Sequence, residues 1–349
     1  MVSIGNKMIG KDHKPFVIAE MSGNHNQSIE TAFKLIDQAV ISGADAIKLQ
    51  TYTADTMTLR ERGGSFKIDD PNSLWNGDNL HDLYKKAYTP WDWHEPLMKY
   101  AREKGIICFS SPFDESAVDF LEELDVPVYK IASFENNHLP LIKKVSETGK
   151  PLIISSGMAS LAELEAAIST ARSAGCKDII LLKCTSTYPA SPQNSNLATI
   201  THMKQMFNVE VGLSDHTLGH GVAVAAVALG ATVIEKHFTL SRSDGGVDSA
   251  FSLEPQEMMM LVDEVKRGWE SIGQIHYGPT KEEAKSLIFR RSLYVSRDIA
   301  AGEILSPANI RIVRPGDGES PAMYNRLLGK RAPKALKAGT PLKLDDLLG

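Results

Sequence analysis

The sequence predicts an α/β fold, a (β/α)8 TIM barrel followed by a small β-rich domain. Three observations carry this. Eight short apolar runs recur along the first two-thirds of the chain. Helix-compatible stretches fit between them. After about residue 275 both patterns stop, and short runs broken by Gly and Pro take over.

The runs are FVIAEM (16–21), AIKLQTY (46–52), IICFSSP (106–112), VYKIAS (128–133), PLIISSG (151–157), DIILLKCT (178–185), EVGLSD (210–215) and TVIEKHFT (232–239). Most are nearly continuously apolar at their N-terminal ends, as parallel strands covered on both faces should be. Ser28 caps a stretch with Ala32, Leu35, Ile36, Ala39 and Val40 on one face. LAELEAAISTARSAG (161–175) ends on a glycine suited to a helix C-cap. Eight such units favour a closed barrel over an open doubly wound sheet. The connection 53–88 is long enough to expect a function. It reads as a cover over substrate or as a plain surface insertion. The expected domains are a barrel over 1–275, a linker over 276–289 and a β-rich domain over 290–349, the last small enough to lean on a partner surface.

Composition narrows the function. A formal net charge of −5 argues against nucleic acid, which wants a basic face, but leaves room for a small anion held by a few local cations. Cys108, Cys176 and Cys184 have no CxxC spacing and suggest reduced thiols. The N-terminus lacks a signal-peptide core, and no apolar stretch is long enough for a membrane span. A cytoplasmic protein without a membrane partner is the expectation.

Polar residues collect at the C-terminal ends of the runs, where barrel enzymes build their active sites. They include Glu20, Lys48, Gln50, Ser111, Lys130, Ser133, Ser155, Ser186, Tyr188, Ser214, His216, Glu235 and His237. A lysine inside a strand is costly to bury unpaired. Lys48 and Lys130, at corresponding ends of two strands, therefore ask for an anion between them, unless one pairs with Glu20 or reaches solvent. Serines beside backbone N–H groups suit a phosphate. His216 and His237 end adjacent strands and could share one divalent metal with positions left open for water, with Glu235 and Asp248 orienting ligands. The competing reading is a pair of hydrogen-bonded structural histidines. His25 is a third candidate as ligand or substrate contact, His220 could belong to the following helix, and Cys184 reads as a small core residue.

AEMSGNHNQS, DAIKLQTY, FSSPFD, YKIAS, ISSGM, CTSTYPA, GLSDHTLG and IEKHFT, in that order, resemble the sialic acid synthase family. RRSLYVSRDIAAGEILSPANIRIVRPGDG resembles its antifreeze-like (SAF) domain. AEMSGNHN is similar to the pseudaminic acid synthase branch; Ser22 and Gln27 stand where other branches more often carry glycine. The resemblance implies condensation of phosphoenolpyruvate with water and an amino-sugar aldehyde, 2,4-diacetamido-2,4,6-trideoxy-altrose, to give pseudaminic acid and phosphate. It implies that Lys48, Ser111, Lys130, Ser133, Ser155 and Ser186 hold phosphate and carboxylate, with Gln50 beside them. The family pattern has asparagine near Ser186. Tyr188 would touch either substrate, His216 and His237 would bind manganese or magnesium, and Glu20 and Asp248 would serve the sugar or a proton transfer. Arg314 matches an arginine that a domain-swapped homodimer inserts into the other copy's site. The rivals are a neuraminic or legionaminic acid synthase, a condensing enzyme for a phosphorylated sugar, and an inactive sugar-binding homologue.

Overall fold

The computed structural model describes residues 1–71 and 73–346. The chain divides into two compact units, Met1–Gly273 and Gln274–Gly349.

The first unit opens with a hairpin that the sequence did not suggest. Strand β1 (Val2–Ile4) runs antiparallel to β2 (Lys7–Ile9). Three-residue strands are too short to display an alternation. Val2, Ile4 and Ile9 pack on Phe16, Ala46, Val128 and Val233 at the N-terminal ends of the strands that follow, and so close that mouth of the barrel.

Eight parallel strands follow: β3 (Phe16–Glu20), β4 (Ala46–Thr51), β5 (Ile107–Pro112), β6 (Tyr129–Ile131), β7 (Leu152–Ser155), β8 (Ile179–Cys184), β9 (Glu210–Asp215) and β10 (Val233–His237). They pair in sequence order, and β10 pairs with β3 to close the barrel. The pleat sorts their side chains. Val17, Ala19, Ile47 and Leu49 face the helical layer, whereas Ile18 and Ala46 belong to the inner cluster. The same alternation sends Glu20, Lys48 and Gln50 inward. The helices start and stop where local chemistry requires. Ser28 accepts from Thr31 N at 3.2 Å, and Ser160 forms a capping box with Glu163. Gly175, just past the helix Leu161–Ser173, takes φ +99°, which favours glycine there.

On the outer face, Lys236 of β10 and Asp215 of β9 are register partners. Lys236 Nζ lies 2.8 Å from Asp215 Oδ2 and donates to Thr217 O at 2.6 Å, and both side chains are buried. Asp215 Oδ1 accepts from Thr217 N at 2.9 Å. A dry ion pair adds little net stability, because desolvation offsets its attraction. What it does supply is definition: the residues on both sides of His216 are tied to the residue before His237.

In the second unit, β11 (Ser292–Val295) pairs antiparallel with β12 (Ile310–Val313). Leu293, Val295, Ile299, Leu305, Ile310 and Leu327 are part of its own apolar core. Residues 274–291 are exposed. Among the described residues no helix is long and apolar enough to cross a membrane.

Candidate active site

The C-terminal ends of the strands enclose a cavity of about 400 Å3. Of the residues picked from sequence, Glu20, Lys48, Gln50, Lys130, Ser133, Ser155, Tyr188, Ser214, His216, Glu235, His237 and Asp248 line it. Ser111 lies just beneath, fully buried, and accepts from Lys48 Nζ at 3.2 Å. Ser186 stands at the edge. A Cβ built on Gly157 would fall 2.1 Å from Ser186 Oγ and 2.6 Å from Ser133 Oγ. Gly157 thus leaves a small cradle between two hydroxyls, and Asn136 holds its loop by donating to Ser155 O at 3.2 Å and Gly157 O at 3.0 Å. Arg314 belongs to the second unit, where it is exposed directly after β12.

The two strand lysines are not waiting for an anion. Lys48 Nζ lies 2.6 Å from Glu20 Oε2 and 3.9 Å from Glu235 Oε2, and Lys130 Nζ lies 3.1 Å from Glu235 Oε1. Sequence reasoning offered Glu20 as a possible partner for a lysine but did not foresee Glu235 as the carboxylate between them. Glu235 also accepts from Ser214 Oγ at 3.0 Å. Burial acts against the Glu235 charge, but Lys130 and Lys48 hold its pKa below the usual carboxylate range. Glu20 goes the other way, pushed up by burial and by the Glu235 charge despite Lys48. Two ammonium groups therefore share the cavity with Glu20, Glu235, Glu135 and Asp248. An incoming anion is accommodated most easily when some of these carboxyls are protonated.

Glu135 was missed from sequence because it lies two residues past the YKIAS run. It lines the cavity, and its Oε2 is buried without a hydrogen-bond partner. Burial pushes its pKa up to about 7, with Lys130 and Lys48 pulling the other way. A carboxyl with a raised folded-state pKa binds more protons folded than unfolded between the two values. Its stability contribution is complete below the unfolded value and is lost as pH rises to about 7. Glu135→Gln should therefore flatten the fall in unfolding free energy between pH 5 and 7.5, a slope of at most about 1.4 kcal/mol per pH unit. Denaturant titrations across that range test this, and an unchanged slope in the variant would remove Glu135 as its source.

His216 and His237 do converge, with ring centroids 5.3 Å apart, and Tyr188 packs 4.4 Å from His216. His216 Nδ1 donates to Thr185 O at 2.9 Å, so Nε2 carries the lone pair when the ring is neutral. Burial opposes charge on His216, but Cys184 and the Thr185 carbonyl outweigh it and hold its pKa above the ordinary value. Burial, His216 and Lys48 push His237 far below it. His237 Nδ1 is buried without a hydrogen bond, 3.9 Å from Asp248 Oδ2. Two imidazoles with unspent nitrogens fit a divalent ion whose other positions go to water or substrate. Among the described residues no three His, Cys, Asp or Glu side chains converge as a metal cage.

His25 is a correction. It is fully buried, its Nε2 is 3.1 Å from Thr89 Oγ1, and its Nδ1 accepts from Gln27 N at 3.2 Å, so both nitrogens are used structurally. His220 precedes the helix Gly221–Ala228 as its N-cap residue. Cys184 is buried yet faces the cavity beside His216. The segment 53–88 forms one wall through Met57, Ile68, Trp75, Leu83 and Tyr84. Trp75 fastens that wall by donating to Val247 O at 3.1 Å.

A parallel barrel with paired lysines, a hydroxyl cradle and two histidines at its C-terminal end defines a barrel enzyme for a small anionic substrate. The chain belongs to the NeuB family, whose model matches residues 35–277, and a SAF domain matches residues 290–348. It is 44% identical to a pseudaminic acid synthase of Campylobacter jejuni over 99% of both chains. It is 43% identical to one of Helicobacter pylori over 95% of this chain and 98% of the other. The crystal structure of an N-acetylneuraminic acid synthetase of Leptospira borgpetersenii superposes with a TM-score of 0.72 at 31% identity, covering 82% of this chain and 94% of that one.

Proposed function

We propose that the chain condenses phosphoenolpyruvate with 2,4-diacetamido-2,4,6-trideoxy-altrose and water, giving pseudaminic acid and phosphate. The observation that carries this is the joining of two buried lysines and a hydroxyl cradle to a histidine pair in one cavity. End-to-end similarity to pseudaminic acid synthases supports the choice of sugar.

Lys48 and Lys130 neutralise the phosphate and carboxylate of phosphoenolpyruvate, displacing their contacts with Glu20 and Glu235, while Ser133, Ser155 and Ser186 hydrogen-bond its oxygens and Ser111 supports Lys48 from beneath. Gln50, Tyr188 and Asp248 hold the open-chain sugar so that its aldehyde carbon meets carbon 3 of phosphoenolpyruvate. A divalent ion, Mn2+ or Mg2+, held by His216 and His237 would supply Lewis acidity to a carbonyl oxygen. As the C–C bond forms, positive charge develops at carbon 2. Glu20 stabilises it and orients the attacking water, a role its tunable charge suits. Glu235, held by Ser214, takes Lys130 back when the product leaves. Phosphate then leaves by C–O cleavage. Holding two reactants in register supplies up to roughly 7–11 kcal/mol of the barrier reduction.

The three buried, unpaired cysteines support a cytoplasmic setting. We read the assembly as a domain-swapped homodimer in which Arg314 enters the cavity of a second copy. Phosphate release from phosphoenolpyruvate across a panel of amino sugars, with mass analysis of the acid formed, tests the reaction. Release with the altro-configured diacetamido sugar and of bridging oxygen-18 into phosphate is expected. Preference for N-acetylmannosamine, or label kept in the sugar acid, would overturn the substrate or the bond cleaved.

A further inference from the structure

Ser22 carries a backbone conformation that serine pays to adopt. Its φ is +48°, in the left-handed region where glycine is at ease and most other residues are rare. Asn26 at +50° and Gln27 at +54° share that region, so the turn after β3 holds three such residues within six positions. Distant partners hold both: Asn26 donates its side-chain amide to Asp244 O at 3.4 Å, and Gln27 donates its own to Tyr88 O at 2.6 Å. Ser22 is likewise held by distant partners. Strained residues of this kind persist where the surroundings over-determine them, often at ligand sites.

What surrounds Ser22 is the cavity. The residue is buried and lines the pocket. Its hydroxyl bonds Asp248 Oδ2, across 226 positions of sequence, and accepts from Gln50 Nε2 at 3.2 Å. The same Gln50 amide donates to Glu20 Oε1 at 2.8 Å. Ser22 therefore links the ends of β3 and β4 to the loop that follows β10. Its one proton goes to Asp248, whose carboxyl the Gly23 backbone N–H also holds, and together they fix that carboxyl facing the pocket.

We infer that Ser22 is a specificity-determining positioning residue for the amino sugar: its hydroxyl sets Asp248 and Gln50 in the arrangement that reads the sugar's hydroxyl and acetamido groups. This rests on the reading of the cavity given above. Asp248 offers carboxyl oxygens that suit the O–H and N–H groups of a sugar and offers nothing to the oxygens of a phosphate or carboxylate. The effect therefore falls on the sugar and not on phosphoenolpyruvate.

Glycine tests this cleanly, because it takes the same backbone conformation without strain. In Ser22→Gly the relief of strain offsets the lost hydroxyl bonds, so its unfolding temperature should stay close to wild type and loss of the fold does not cloud the result. Its KM for the sugar should rise about tenfold or more, as for loss of a hydrogen bond to a charged group. Its KM for phosphoenolpyruvate should stay within about twofold, and discrimination between the altro sugar and its epimers should narrow. Ser22→Ala, which keeps the strain and loses the hydroxyl, should give the same kinetic shift at lower stability. A purely structural serine predicts unchanged KM values in both variants, and that result, or an equal rise for both substrates, overturns the inference. Failure of wild-type protein to release phosphate with any amino sugar would instead overturn the reaction assigned above, and this inference with it.

Discussion

His237→Ala is expected to lower kcat/KM by about a thousandfold, equivalent to the several kcal/mol that a Lewis-acid ion contributes. It should also abolish Mn2+ binding measured by calorimetry, while the unfolding temperature holds. The fold draws little from this side chain. Its Nδ1 is buried without a partner, and the ring borders open cavity, so removal deletes an unsatisfied group and opens no new hole in a packed core. The residues that place it, Lys236 and Asp215, are untouched. Unaltered Mn2+ affinity in the variant, or full activity in the presence of a chelator, would refute a metal role for the histidine pair.

Lys48→Met should have the second large effect, and in two measurements at once. Lys48 is 3% exposed, and its ammonium stands between Glu20 and Glu235. Removing it leaves Glu20 buried with its strongest counter-charge gone, a change worth about 3–5 kcal/mol when a dry ion pair is broken from one side. Burial already raises the Glu20 pKa, and loss of Lys48 raises it further. The carboxyl then takes up a proton, so the destabilisation should be smaller at pH 5 than at pH 8. Thermal unfolding at both values checks the sign. In steady-state phosphate release, KM for phosphoenolpyruvate should rise by at least tenfold, because one of two local cations is missing. An unchanged KM would show that Lys48 serves the carboxylates alone.

The barrel was legible because its signals are local. An apolar run of five or six residues, followed by a helix cap and a periodic stretch, is a statement about neighbours in sequence, and the eight observed strands start and end within about three residues of the runs. Strand-end chemistry was legible for the same reason. Once a run is a strand of a barrel, its C-terminal end and its inward parity follow from the pleat. The hairpin β1–β2 escaped because it is short. Glu135 escaped because it follows its run in a turn, where parity no longer applies. His25 misled because a histidine in a loop beside strand ends carries no mark of its partners, Thr89 and Gln27 N.

By itself, then, the sequence determined the barrel, the appended domain, the family and the strand-end set that includes Lys48, Lys130, His216 and His237. Only the tertiary structure decided how those groups are charged and held. Lys130 meets Glu235 across 105 positions, Ser22 meets Asp248 across 226, and the segment 53–88 supplies a wall fastened to Val247 across 172. Alternation and capping depend on residues within a turn of one another. Ion pairing, burial and the resulting protonation depend on which distant residues the closed barrel brings together, and that is a property of the closure of β10 onto β3.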